Sequence, residues 1–478
     1  MARFNVIPPP GTRVEAAPAQ PVVQTQRLVP VAATEPVPSK KAPQPVPTVP
    51  ESNIAMALIC LALFVAVSRI SDVIARQLGS SLKVALIVTA LASLAAFFTG
   101  QILGALRSRG TIAILVLTAW WGCCVPFSVW PGGTVIKFRT EWVFSLAVFF
   151  IVATGANTVR GLQRYAGTLA LSAVCVNVVL LRYGIEKDLR GAVEFEGSLS
   201  NPNFAALHLL IGLPFLVYWV RSSGLFSFRG ILGLANAILL AFLIITRTGS
   251  RSGLLTLIIM TVLMTMGTKL HTRIALVLGL LVGAAAVIPF VPSYLLYRYG
   301  TLLRSTDTET SEAAMSTRVR RELLSQSFEQ TLRNPLFGVG PGQFRVAAAA
   351  NSKDEGERAL WLETHNTYTQ VSSEMGVPGF LIYIAMIYFS LMPLVKDLRQ
   401  ARRSGVRLPR HEYARAVLIS AAGLALNSFF TSMAYQYYWP VLCAMGVAYQ
   451  RIVASESNRP FLRAPWNNDT TAPRQATA

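Results

Sequence analysis

The sequence predicts an all-α membrane protein of about twelve transmembrane helices, with one large extracytoplasmic loop that contains an amphipathic helix. Three observations carry that expectation. The chain has 478 residues, is 53% hydrophobic and only 14% charged, too little polar surface to keep a soluble fold of this size dissolved. Apolar runs near the ~20 residues needed to cross hydrocarbon recur through most of its length. Its basic residues gather between those runs, as membrane topology requires.

The elements follow in order. Residues 1–53 hold twelve of the 27 prolines among Ala, Val, Gln and Thr with no helical period, and read as a disordered, Pro-rich cytoplasmic tail. No basic n-region with a short apolar core precedes a cleavage site, so no signal peptide is expected. Spans are expected at 54–70, 83–104, 111–130, 139–156, 163–182, 203–220, 230–246, 252–268 and 272–290, a first bundle over 54–290. Residues 291–377 form the large external loop. Spans at 378–395, 413–431 and 437–453 make a second bundle over 378–455, and 456–478 is a cytoplasmic tail.

Lysine and arginine set the orientation. The segment from Lys396 to Arg415 carries seven basic residues against Asp397 and Glu412, so it should be cytoplasmic. Counting back two spans at a time puts "LHTR" (270–273), "RSSGLFSFR" (221–229), "RGLQR" (160–164) and "RSR" (107–109) on that side, and both termini with them. The opposite face receives "KFRTE" (137–141), the loop 183–202, the turn "TRTGSRSG" (246–253) and the loop 291–377. The net charge, 43 − 23 = +20, is thereby explained by topology. No basic-aromatic patch on a soluble domain exists, and no nucleic-acid partner is expected. The five cysteines (Cys60, Cys123, Cys124, Cys175, Cys443) all lie in apolar segments, which argues against a disulfide framework or a zinc site.

Candidate chemistry lies on the external face. In "TRTGSRSG", Arg247 and Arg251 sit on the wrong side for the positive-inside rule. Snorkelling to headgroups is one reading. The other is phosphate binding, because Thr246, Ser250 and Ser252 surround them, the glycines permit a tight turn, and a helix starts near Arg251. The stretch 311–335 reads as an amphipathic helix with Met315, Val319, Leu323 or Leu324, and Phe328 along one face, stopped by Asn334-Pro335. Its Arg318, Arg320, Arg321 and Arg333 either pair with Glu322 and Glu329 at helical spacing or face a ligand. "FGVGPGQF" (337–344) lacks the Lys-Ser/Thr of a nucleotide loop and is expected to be a tight turn only. His365 precedes a short helix over 366–374 that breaks at Gly376, Pro378 and Gly379. A helix N-terminus would lower its pKa and favour the neutral imidazole a general base requires. "DTET" (307–310) and "EFE" (194–196) are short acidic pairs that could ligate a cation, but a metal site needs more convergent ligands than either supplies alone. No HExxH, no GxSxG and no carboxylate pair within a span is present.

Together, "TRTGSRSG", "STRVRRELLSQSFEQTLRNPLFGVGPGQF" and "HNTYTQVSSEMGVPGF" resemble the O-antigen ligase and polysaccharide polymerase family of bacterial inner-membrane glycosyltransferases, over roughly 200–395. "EGSLSNPNFAALHLL" (196–210) resembles the Asn-Pro-Asn segment often found in that family. The resemblance implies a multi-pass fold of the integral-membrane glycosyltransferase (GT-C-like) type in the bacterial inner membrane, with 291–377 as a periplasmic catalytic loop. It implies a glycan donor on undecaprenyl pyrophosphate, a hydroxyl acceptor on a glycan, a lipid A core or a protein, inversion at the anomeric carbon, and no metal or other cofactor. By motif it assigns catalysis to His365, Arg251 and Arg318, with Arg320 and Arg321 close rivals of Arg318; Arg247 and Arg321 are candidates for pyrophosphate binding. The Pro-rich tail departs from the family pattern.

Two other classes stay open. A flippase or transporter of lipid-linked saccharides would also use many spans and an arginine patch, but it usually shows internal repeats, and none is evident. A non-catalytic scaffold of envelope assembly would use the Pro-rich tail as its binding element.

Overall fold

The computed structural model describes residues 52–77, 84–98, 102–183, 202–266, 273–274, 287–300, 312–354 and 362–457. The predicted tails 1–51 and 458–478 and most of the predicted span 272–290 lie outside the described residues, as do "EFE" and "DTET". The described residues contain helices and turns and no strand.

In chain order the helices are α1 (Asn53–Ser68), α2 (Ile70–Gln77), α3 (Val84–Phe98), α4 (Ile102–Leu106), α5 (Arg109–Cys124), α6 (Pro131–Lys137), α7 (Val143–Gly155), α8 (Val159–Tyr183) and α9 (Pro202–Ser223). They continue as α10 (Phe228–Leu243), α11 (Arg251–Thr265), α12 (Ser293–Gly300), α13 (Glu312–Arg333), α14 (Phe344–Asp354), α15 (Thr367–Ser404), α16 (Pro409–Asn427) and α17 (Tyr438–Ser457). Most begin within a few residues of the positions expected from hydropathy. The expected span 83–104 is divided between α3 and α4. The span expected at 378–395 is part of the much longer α15, which is kinked at Gly376.

This is a multi-pass membrane protein. Among the described residues, five helical stretches are long and apolar enough to cross a bilayer: Arg109–Phe127, Val159–Arg182, Pro202–Ser223, Phe228–Thr248 and Thr367–Ser404. Shorter apolar helices are Asn53–Ser68, Val84–Phe98 and Arg251–Thr265. Leu86, Leu91, Leu94 and Phe98 of α3, and Ile231 and Ile238 of α10, are exposed, an apolar outer surface suited to lipid rather than water. Inside, small residues let helices approach closely. Gly212 of α9 abuts Ala173 of α8, and Gly110 of α5 and Gly446 of α17 both abut Ser390 of α15, with no room for a Cβ at any of the three.

The polar contacts sort the helix ends into two sets. At one end Arg410 bonds Asp397 (Nε–Oδ2, 3.2 Å) and Glu456, Arg221 reaches Met264 O (2.7 Å), and Arg164 reaches Asn53 (3.2 Å). These residues all belong to the face that the charge pattern assigns to the cytoplasm. At the other end Trp120 donates to Met375 O (2.9 Å), Ser145 to Tyr435 O (2.8 Å) and Ser250 to Asn203 (2.7 Å). Of these, Ser250 and Met375 belong to segments that the charge pattern assigns to the exterior.

Candidate active site

The arginine turn is built by local hydrogen bonding. α10 ends in a π-helical turn, Ile244–Thr248, and Gly249 takes the left-handed conformation (φ 56°) that ends the helix. Ser250 then caps α11 by accepting from Gly253 N at 3.0 Å, so the new helix starts at Arg251. Asn203, in the first turn of α9, accepts from both Ser250 Oγ (2.7 Å) and Ser252 Oγ (3.3 Å). Thr246 and Thr248 bond back to Phe242 O and Ile244 O at 2.8 and 2.9 Å. The hydroxyls read from sequence as phosphate ligands are thus buried and engaged in the turn itself. Arg247 and Arg251 are half-buried. α12 returns to this turn, where Tyr299 donates to Ile245 O at 3.0 Å.

The loop helix α13 spans Glu312–Arg333, close to the expected 311–335. Its buried face runs through Val319, Leu323, Ser327 and Gln330, with Leu323 against Phe344 and Ala348 of α14. Phe328, placed on that face from spacing, is exposed. The reason is that α13 packs on the polar first turns of α15, where Thr331 meets Ser372 (3.0 Å), so the buried face is part polar. Arg318 and Arg321 are exposed, and Arg320 is half-buried. Glu329 pairs with Arg333, and Glu322 accepts from Gln326.

The glycine loop after α13 is a clasp. Gly338, Gly340 and Gly342 all have positive φ, and the loop's N–H groups reach α15: Val339 N to Ser373 O (2.9 Å) and Gly340 N to Glu374 O (3.0 Å). The Glu374 carboxylate, 3% exposed, accepts from Gly342 N (2.9 Å) and Phe344 N (3.2 Å). Phe337 stacks on Trp120 and Phe127 at the end of α5. In return Val377 N, just past the non-helical Gly376 (φ 70°), donates to Pro335 O at 2.8 Å. The break expected at Gly376 is therefore where the clasp closes.

His365 sits in a left-handed turn (φ 53°), uncommon for a side chain with a Cβ. Neighbours on both sides fix it. Thr364 donates to Asn366 O (2.9 Å) and meets Ser432 (3.0 Å), while Asn366 caps α15 by accepting from Tyr368 N (2.9 Å) and Thr369 N (3.2 Å). Thr367 N donates to Ser428 O at 2.7 Å. The imidazole is half-buried, and its pKa is pushed below the usual value by burial first and by the positive charge of Arg320 second. The direction is the one expected from a helix start, but the causes are desolvation and a cation.

One loop, 428–438, links the histidine to the arginine turn. On one side Ala434 N donates to Gln370 Oε1 of α15 (3.1 Å). On the other Tyr438 OH lies 2.9 Å from Nε2 of His208, whose Nδ1 lies 2.8 Å from Phe204 O in α9. α9 also carries Asn203, which holds the Arg251 turn. His208, Glu374 and Gln370 went unassigned in the sequence reading, because their partners lie far away along the chain.

Beside His365 is a cavity of about 300 Å³ between α6, the glycine loop and the segment entering α15. Two cations, Lys137 and Arg345, line it with three carboxylates, Glu141, Glu363 and Glu374. Lys137 bonds Glu141 at 2.5 Å; burial opposes its charge most, but Glu141 with Glu363 and Glu374 together outweigh burial and hold the ammonium pKa above its ordinary value. Among the described residues no group of three or more His, Cys, Asp or Glu is placed to hold a metal ion.

Residues 236–384, from α10 through the arginine turn, the loop helix, the glycine clasp, His365 and the kink of α15, match the O-antigen ligase family model Wzy_C. That match supports the O-antigen ligase and polymerase family for this part of the chain. No curated protein matches the chain.

Proposed function

We propose that this membrane protein, with its O-antigen ligase-type region at 236–384, transfers a glycan from undecaprenyl pyrophosphate to an acceptor hydroxyl at the periplasmic face of a bacterial inner membrane, with both termini cytoplasmic. The observation that carries this reading is His365: a half-buried imidazole held in a left-handed turn, kept neutral by burial and by a neighbouring arginine. A neutral imidazole in a fixed position is what a general base requires.

The reaction proceeds by inversion. The acceptor oxygen forms a bond to the anomeric carbon as the bond from that carbon to the pyrophosphate oxygen breaks. The bonding pair leaves on undecaprenyl pyrophosphate, and the acceptor proton passes to the free nitrogen of His365. The leaving group gathers negative charge at the membrane face, which fixed arginines neutralise without a metal ion. Arg251 supplies one charge from the capped start of α11, with Arg247 one turn away. The loop helix supplies the other. Family resemblance assigns that role to Arg318, with Arg321 as a binding residue; the field felt by His365 comes from Arg320.

Transfer from a purified lipid-linked donor tests the reading. His365→Ala should lower turnover by ~10²–10⁴ and Arg251→Ala by ~10²–10³. Near-normal transfer by the histidine variant would sink the mechanism. Transbilayer movement of the donor without transfer would favour a flippase instead.

A further inference from the structure

The cavity beside His365 takes no part in the mechanism above. We propose that it is a carbohydrate subsite that binds one uncharged pyranose of the acceptor glycan and so selects the acceptor, an inference that rests on the glycosyl-transfer reading of this face. The first reason is Gln343. Its amide is 3% exposed and lines the cavity; Nε2 reaches Pro341 O at 3.4 Å, yet Oε1 has no partner. Buried amide oxygens are almost always satisfied, so an unpaired one on a residue of the cavity wall points to a missing hydroxyl donor such as a ligand's.

The second reason is Trp130, a half-exposed indole on the wall of a cavity that is part polar and part apolar, as suits stacking on the apolar face of a sugar ring. Gly133 holds the pair together: a Cβ there would collide with both the Trp130 ring and Gln343 Nε2. The third reason is charge. Lys137 is already paired with Glu141, and the Glu363 carboxylate and Thr364 complete the wall. Mixed donors and acceptors suit a neutral polyol. A pyrophosphate would instead meet carboxylates, so the donor phosphates belong with the arginines elsewhere. The last reason is position, since Glu363 and Thr364 of the cavity wall immediately precede His365 in the chain.

Saturation-transfer NMR on the full chain in lipid nanodiscs tests this, with methyl pyranosides of glucose, galactose, mannose, rhamnose and N-acetylglucosamine as probes. At least one should bind the wild type. Trp130→Ala, at a partly exposed position that does not threaten folding, and Gln343→Leu should each weaken that binding about tenfold or more, the scale of one lost hydrogen bond or stacking contact. His365→Ala should bind the same probe like wild type. In transfer assays the Trp130 and Gln343 variants should raise the acceptor KM and leave the donor KM unchanged. Binding by neither wild type nor His365→Ala, or equal binding by all variants, overturns the subsite even if His365→Ala is inactive in transfer. Should His365→Ala transfer normally while pyranosides still bind through Trp130 and Gln343, the subsite stands and the proposed base falls.

Discussion

Removal of the Glu374 carboxylate should undo the clasp between the glycine loop and α15. In Glu374→Ala, Gly342 N and Phe344 N lose their acceptors at 2.9 and 3.2 Å, and Phe344, only 1% exposed, leaves its N–H no ready route to water. Each buried donor left unpaired costs about 1–3 kcal/mol, so two cost about 2–6 kcal/mol. Relief of carboxylate desolvation offsets part of that, and a net loss of about 2–4 kcal/mol follows. Glu374→Gln keeps one acceptor at nearly the same volume and should lose roughly half as much. Thermal unfolding in detergent measures the ranking wild type, Gln, Ala. Limited chymotrypsin digestion adds a local readout, because a released clasp exposes the bonds after Phe337 and Phe344. An Ala variant that melts with wild type and resists cleavage there would refute the idea that this carboxylate holds the loop.

Three further outcomes follow from the same geometry. His365→Gly and His365→Ala should both lose transfer, but the glycine variant should be the more stable by ~1 kcal/mol in chemical unfolding, because only glycine occupies φ 53° without strain. Because the folded-state pKa of His365 lies below its unfolded value, the unfolded chain binds more protons and stability falls as pH drops through the unfolded value and down toward the folded one. The acid limb of kcat/KM should accordingly lie below the ordinary histidine range and move up in Arg320→Ala, as a pH–rate series would reveal. Asn203→Ala leaves the Ser250 and Ser252 hydroxyls without their shared acceptor, costing ~1–2 kcal/mol and raising the donor KM through Arg251, which steady-state kinetics would detect.

What the sequence made legible is what local chemistry decides. The helix start near Arg251, the helix start just after His365, the stop at Asn334-Pro335 and the break at Gly376 each depend on a few adjacent residues, and each lies close to where expected. What it concealed depends on partners far off in sequence. The glycines of 337–344 announced a tight loop, but the acceptor that closes it is Glu374, some thirty residues away. "NPN" was noticed as a resemblance, yet its bond to the arginine turn spans 47 residues. The hydroxyls around Arg251 looked like ligands until that bond accounted for them. Apolar counting along α13 offered Leu323 or Leu324 and then chose Phe328, because counting cannot anticipate a buried face completed by Ser327 and Gln330.

The choice among the loop arginines turns on the phase of that helix. With 3.6 residues per turn, each step rotates about 100°. Taking Leu323 as the centre of the buried face, Val319, Ser327 and Gln330 all fall within about 40° of it. Arg320 then lies about 60° off the centre, while Arg318 and Arg321 lie about 140° and 160° away, on the outer side. Their burial agrees: Arg320 is half-buried and the other two are exposed. Arg320 is also the arginine whose charge reaches His365. Arg320→Ala should therefore cost ~10²–10³ in transfer, with Arg318→Ala and Arg321→Ala each within a few-fold of wild type in the same assay. Arg320→Lys, which keeps the charge but loses the planar fork, should recover only part of the rate. The opposite ranking, with Arg318→Ala inactive and Arg320→Ala near normal, would mean that α13 turns or shifts when the lipid-linked donor binds, and that its packing on α15 is not the arrangement that performs the transfer.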